Sequence, residues 1–214
     1  MIKKLSLKGL SDYMSASPTT QRRILHEYKY PTEDESRAKI LYYREAKDRI
    51  TAYHESGYDR NWLINEANQL KMLGDLSVNA SRKNRLRYNA MGVYRYAKYF
   101  SQRHFEILDD LTLDLFIGDV FISVFPDMHV IEKGKDKIIK LEFSKNSPSD
   151  MAIKIISQCL FEAAHRNGLP LSPSCTLYLD VPRGVEYRGA RMRSRMLRDI
   201  EATCMNISAI WDSI

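Results

Sequence analysis

Through the first hundred residues the apolar positions recur at steps of three and four. Leu5, Leu7, Leu10 and Met14 keep near-helical spacing until Ser15-Ala16-Ser17-Pro18 interrupts them. Ser17 before Pro18 is an N-cap and first-turn signal for a second helix, Pro18 to Tyr28, which sets Gln21, Arg22 and Arg23 beside Ile24 and Leu25. Two short helices across a tight turn have the outline of a helix-turn-helix, without the glycine often found in that turn. Thr32 and Glu35 then form a capping box before a long helix to about Glu55, its stripe running through Ala38, Leu41, Tyr42, Ala46, Ile50 and Tyr53. Gly57 ends it. Asp59 caps a shorter helix with Trp62, Leu63, Ala67, Leu70 and Leu73, which stops at Gly74, and a further helix spans Ser81 to about Gln102. The first part is therefore expected to be helical throughout.

Beyond residue 105 the period changes. Leu113 to Val124 is rich in Leu, Ile, Val and Phe around Gly118-Asp119 and predicts a strand or strand pair. After Phe125-Pro126-Asp127 comes a short run from Met128 to Ile131. The Lys133-Gly134-Lys135-Asp136 segment predicts a hairpin turn, with Lys137 to Phe143 returning as partner strand. Ser147-Pro148-Ser149-Asp150 caps a helix from about Met151 to Asn167, closed by Gly168. Thr176 to Val181 is a further strand, ended by Pro182-Arg183-Gly184. The crossover helix makes this last strand parallel to a neighbour. A helix from near Ala190 would align Leu197, Ile200, Cys204, Ile207 and Trp211. The expected fold is α+β: a basic helical domain over residues 1–104, then residues 105–214 with a small mixed sheet, a crossover helix and a C-terminal helix.

Charge follows the same division. Residues 1–104 hold 20 Lys and Arg against 11 Asp and Glu, whereas residues 105–214 hold 13 against 16; 11 of the 13 tyrosines lie in the first part. A shift of this kind marks a change of surface role. Arg82, Lys83, Arg85, Arg87, Arg95, Lys98 and Arg103 follow one another with no intervening acid and with tyrosines between them. Cations suit phosphates and tyrosines suit stacked bases, so these residues, with Arg22 and Arg23, are candidates for nucleic-acid binding. Arg191, Arg195 and Arg198 share a face of the last helix and form a second basic element, free to meet a phosphate backbone or an acidic partner.

The order strand, hairpin partner, helix, strand, with Asp127 after Pro126 and Glu142 in the next strand, resembles the core of the PD-(D/E)XK nuclease superfamily, the restriction-endonuclease-like fold, over about residues 105–182. The resemblance implies a magnesium ion held by Asp127 and Glu142. It also implies a lysine two positions after the second acid, to assist the attacking water. That position is Ser144 here. Lys145 is one step late and points to the opposite strand face, whereas Lys140 shares the face of Glu142 but precedes it. Asp119 is an alternative first acid. Without the resemblance, Lys140 and Glu142 read as the watered side of a strand whose Ile139, Leu141 and Phe143 face the core.

Other chemistries find no support. Phosphate-cradling, dinucleotide, nucleophile-elbow and zincin motifs are absent, and the five histidines lack ligand spacing. Cys159, Cys175 and Cys204 suit neither a disulfide framework nor a metal site. With no secretory h-region and no apolar run near the roughly 18 residues of a membrane span, a cytoplasmic location and no membrane partner are expected. The reading is a nucleic-acid-binding protein, DNA in the first instance, with weak sequence preference. Its nuclease-like core is expected to be catalytically incomplete and to need no cofactor. The alternatives are a magnesium-dependent nuclease and a non-enzymatic adaptor for a protein partner.

Overall fold

Alternation places the second-half strands. A computed structural model describes residues 2–31, 42–57, 59–146, 148–190 and 194–214. In it Leu113, Leu115 and Ile117 are buried while Asp114 and Phe116 face out, so Leu113–Ile117 is a strand with one wet face. It turns through Gly118, at φ +57°, into Val120–Val124, with which it pairs antiparallel. Met128–Glu132 and Lys135–Glu142 form the next hairpin. Its two turn residues, Lys133 and Gly134, have φ of +53° and +71°, the left-handed pair that a two-residue hairpin requires.

The opening residues depart from the helical reading. Lys3–Ser6 is a strand, β1, which pairs parallel with Val120–Val124, Leu5 lying opposite Ile122. Helical spacing of Leu5, Leu7 and Leu10 could not reveal this, because the strand is four residues long and its partner is far along the chain. The helices are α1 Leu7–Met14, α2 Pro18–Lys29, α3 Arg44–Glu55, α4 Arg60–Asp75, α5 Ala80–Tyr99, α6 Asp150–Arg166 and α7 Ser194–Ile210. The strands after β1 are β2 Glu106–Ile107, β3 Leu113–Ile117, β4 Val120–Val124, β5 Met128–Glu132, β6 Lys135–Glu142, β7 Thr176–Asp180 and β8 Val185–Arg188. Among the described residues, side chains cap four helices by accepting a backbone N–H: Ser6 from Gly9, Asp59 from Trp62, Asn79 from Arg82 and Ser149 from Ala152. The Thr32 and Glu35 capping box, with Ala38 and Leu41, lies outside the described residues.

The chain is thus α+β, with two mixed sheets. One is ordered β1-β4-β3 and the other β2-β5-β6-β7-β8. The crossover through α6 makes β6 and β7 parallel, Lys140 lying beside Tyr178 and Glu142 beside Asp180. β8 adds an antiparallel edge strand that the sequence does not suggest; its four residues are exposed or half-buried. Both faces of the larger sheet are covered. Ile138 and Tyr178 join a core with α1, α2, α6, α7 and the smaller sheet, while Ile139, Leu141, Leu177 and Leu179 join a second core with α3, α4 and α5. Each core mixes residues from before and after position 104, so the change in charge at that position does not divide the packing.

Helix α5 lies close on β6 because residue 92 has no side chain. A Cβ there would stand 2.8 Å from the Phe143 ring. Gly92→Ala gains about 1 kcal/mol of helix propensity, but the buried Phe143 ring would have to shift, and overpacking of this kind costs about 1–3 kcal/mol. A net loss is expected in urea titration; a raised midpoint would show that the contact yields freely.

Candidate functional site

Asp127 stands just before β5, where its backbone N–H donates to the Ile139 carbonyl at 2.8 Å. Its carboxylate goes on with the ladder: Oδ2 accepts the Leu141 N–H at 2.8 Å, in the place of a backbone carbonyl. Two ammonium groups complete the shell. Lys140 Nζ lies 3.1 Å from Oδ2 and also donates to the Phe125 carbonyl, while Lys47, from α3, lies 2.6 Å from Oδ1. The Asp127 side chain is 5% exposed. Burial pushes its pKa up, but the charges of Lys140 and Lys47 and the Leu141 N–H outweigh burial and hold it below the ordinary value.

Glu142 follows on the same strand face as Lys140. Its Oε1 accepts the Ser144 N–H at 2.7 Å and its Oε2 accepts the Tyr178 hydroxyl at 2.9 Å. Tyr178 is raised well above the usual phenol range by burial, then by Glu142, Asp180 and Asp127. Three carboxylates therefore act on one hydroxyl, which stays protonated and donates. Asp180 is fully buried and bonds Arg183, whose guanidinium also reaches the Lys145 carbonyl. Tyr43 stacks on Phe143 at 5.0 Å, and Glu142 helps to raise its hydroxyl pKa after burial and Tyr42.

Of the residues expected at an acidic site, Asp127 meets Lys140 at 3.1 Å, while Glu142 lies two residues further along the strand face of Lys140 and makes its own bonds to Ser144 and Tyr178. Lys145 is exposed and contributes a backbone carbonyl. Asp119 is in the β3–β4 turn of the other sheet, 3.8 Å from Lys3. Of the basic residues, Arg22, Arg23, Arg82, Lys98, Arg195 and Arg198 are exposed and Lys83 and Arg95 half-buried, while Arg191 lies outside the described residues. The basic run is less bare than its sequence suggests: neighbouring helices supply acids, Glu45 to Arg85 at 2.9 Å and Asp75 to Arg87 at 2.6 Å. Lys47 and Tyr178 carry no sequence signal for this site; the one hint for Asp180 is that an acid ends an apolar strand.

Among the described residues no group of three or more His, Cys, Asp or Glu is placed to hold a metal ion. Two carboxylates still suit magnesium, which is commonly bound by one or two of them with waters and substrate phosphate. Asp127 and Glu142 have the right hard oxygens, and an ion there would displace ammonium donors from Asp127. No helix among the described residues is long and apolar enough to cross a membrane. The chain matches no protein-family model, and no curated protein matches it in sequence.

A second charged cluster ties α5 to the sheet. Arg103 donates to both oxygens of Glu132 and to Glu186, and Lys137 also donates to Glu132. Burial raises the Glu132 pKa, but Arg103 and Lys137 prevail and hold it down at about 2. His54, beside this cluster, is lowered to about 4 by burial, then by Arg103 and His104. Both folded values lie below the unfolded ones, so both contributions to stability are present above the unfolded pKa and drain as the pH falls. His54 acts between about pH 6.5 and 4, and Glu132 between about 4.5 and 2. Chemical denaturation across pH is expected to give a two-stage decline, and His54→Gln should flatten the upper stage. An unchanged upper stage would remove His54 as its cause.

Proposed function

We propose that this chain binds nucleic acid and hydrolyses its phosphodiester bonds with a divalent metal, using a site centred on Asp127 and Glu142. The observation that carries the reading is that Asp127, just before β5, meets Lys140 of β6, which shares its strand face with Glu142 two residues on. The amine missing at Ser144 is thus available from another position, and Lys47 brings a second. A nuclease of the PD-(D/E)XK kind is the class this arrangement fits.

Asp127 and Glu142 are the carboxylates that would hold magnesium. Bound there, it would supply charge to the developing oxyanion and acidify the attacking water. Lys47 and Lys140 are compact donors able to pair with a phosphate oxygen. Both lysines stand against the Asp127 carboxylate, which offsets the repulsion an arriving phosphate would meet from it. Tyr178 and the Ser144 N–H fix the Glu142 carboxylate, so its direction is set before substrate arrives. The exposed cations Arg82, Lys98, Arg195 and Arg198 would hold the backbone and make binding weaken with salt.

A second reading, a nuclease-like fold kept as a binding platform, is favoured by one observation: all four carboxylate oxygens of Asp127 and Glu142 already accept hydrogen bonds or ion pairs. The purified chain, given labelled single- and double-stranded DNA and RNA with magnesium or manganese, separates the two. Cleavage that stops on chelation is expected. Binding without cleavage under every condition would leave the platform.

A further inference from the structure

Helix α5 has a wet face with an unusual composition. Arg87, Tyr88, Met91, Tyr94, Arg95 and Lys98 lie within one sector of the helix, and Tyr88, Met91 and Tyr94 are 48%, 48% and 53% exposed. No acid belongs to this face, although Asp75 of α4 reaches Arg87. The opposite side, through Leu86, Ala90, Val93 and Ala97, is buried. The core therefore does not require these rings, and water is a poor solvent for them.

One aromatic path and one close backbone contact lead from this helix to the acidic site. The Tyr88 ring stands 6.4 Å from Tyr42, which meets Tyr43 at 5.0 Å, and Tyr43 stacks on Phe143, the neighbour of Glu142. One helical sector further on, the Tyr99 ring packs so closely on Gly184 that a Cβ there would lie 2.4 Å from it. Gly184 follows Arg183, the partner of Asp180. Helix α5 thus runs beside the ends of both β6 and β7.

We propose that this face is a stacking platform for single-stranded nucleic acid, which it leads to Glu142. The inference rests on the phosphodiester reading above and adds the form of the substrate. Bases in a duplex are stacked on one another and offer only their edges, so exposed tyrosines gain little from them. Unpaired bases present their faces to the rings while the cations follow the phosphates. The cations on the face disfavour an apolar or basic protein partner.

Fluorescence anisotropy of the full chain with labelled oligo-dT, oligo-U and a blunt duplex, each about 16 nucleotides long to fill such a site, tests it. Either single strand is expected to bind more tightly than the duplex, and the two single-stranded probes distinguish DNA from RNA. Tyr88→Ala and Tyr94→Ala should each weaken single-strand binding roughly 5- to 100-fold with an unchanged salt slope. Their Phe counterparts should retain it. Arg95→Ala with Lys98→Ala should instead make the slope shallower by about 0.7 for each lost contact. Alanine variants that bind like the parent, or a duplex bound as tightly as the single strands, would overturn the platform. Metal-dependent cleavage surviving in those variants would show that the hydrolytic reading stands without it, whereas no binding to any probe would sink both.

Discussion

Glu142→Gln should reduce metal-dependent cleavage by at least about 100-fold while leaving the fold and nucleic-acid binding nearly as they are. The substitution keeps the volume and most of the bonding. The amide oxygen can accept the Ser144 N–H, and the amide nitrogen can donate to the Tyr178 oxygen, where Glu142 now accepts from both. What disappears is one negative charge on the Lys140 face of β6, and with it half of the carboxylate pair that would hold a divalent ion. Binding to phosphate should be equal or slightly stronger, because Lys47 and Lys140 then face one acid fewer. Cleavage rates and anisotropy on the same preparation read the two effects separately. Undiminished cleavage would take Glu142 out of the reaction, and equal loss of binding and melting temperature would mark it as a structural residue.

The largest effect on stability is expected at Arg103. Its side chain is 16% exposed, donates to Glu132 at 2.8 and 2.6 Å and to Glu186, and lies over the Phe105 ring at 4.7 Å. Arg103→Met keeps much of the stem's packing but leaves Glu132 with Lys137 alone and Glu186 with Arg188. Removing one partner of a buried charged group costs about 3–5 kcal/mol, since the remaining charge is stranded. Urea midpoints should fall accordingly with little change in slope. A loss below about 1 kcal/mol would place the cluster with surface ion pairs. Surface cations such as Arg82 should matter little by this measure, which separates folding from binding among the arginines.

The sequence exposes those parts of the fold whose signals are local. The run of Leu, Ile, Val and Phe broken at Gly118-Asp119 marks β3 and β4, Lys133-Gly134 the hairpin, and Ser149 with Gly168 the limits of α6. Of the expected stripe, Ile200, Cys204 and Ile207 form the buried side of the last helix, Trp211 is buried just beyond its end, and Leu197 is half-buried. What escaped was settled by distant partners. β1 and β8 are four-residue edge strands whose pairing is decided by β4 and β7, and β2 has two residues. Within the site, Asp127, Glu142 and Lys140 were legible as acids and amine on paired strands. Lys47 was not, because one lysine among many on an amphipathic helix carries no mark of the carboxylate it will meet. Nor could the basic run betray Glu45 and Asp75, which arrive from other helices.

The pairing of Lys3–Ser6 with β4 bears on the order of assembly. The Leu5 carbonyl accepts the Ser123 hydroxyl from 118 residues further along the chain. During synthesis this segment must wait, its Leu5, Leu7 and Leu10 without the cover of β4, until β3 and β4 have emerged and turned on each other. Contacts of such long separation form late and slowly. In the meantime the finished β3–β4 hairpin carries an open flank on β4, a template for the same segment of another nascent chain. Crowded synthesis should therefore favour exchange of β1 between copies, a route to dimers that needs no new surface.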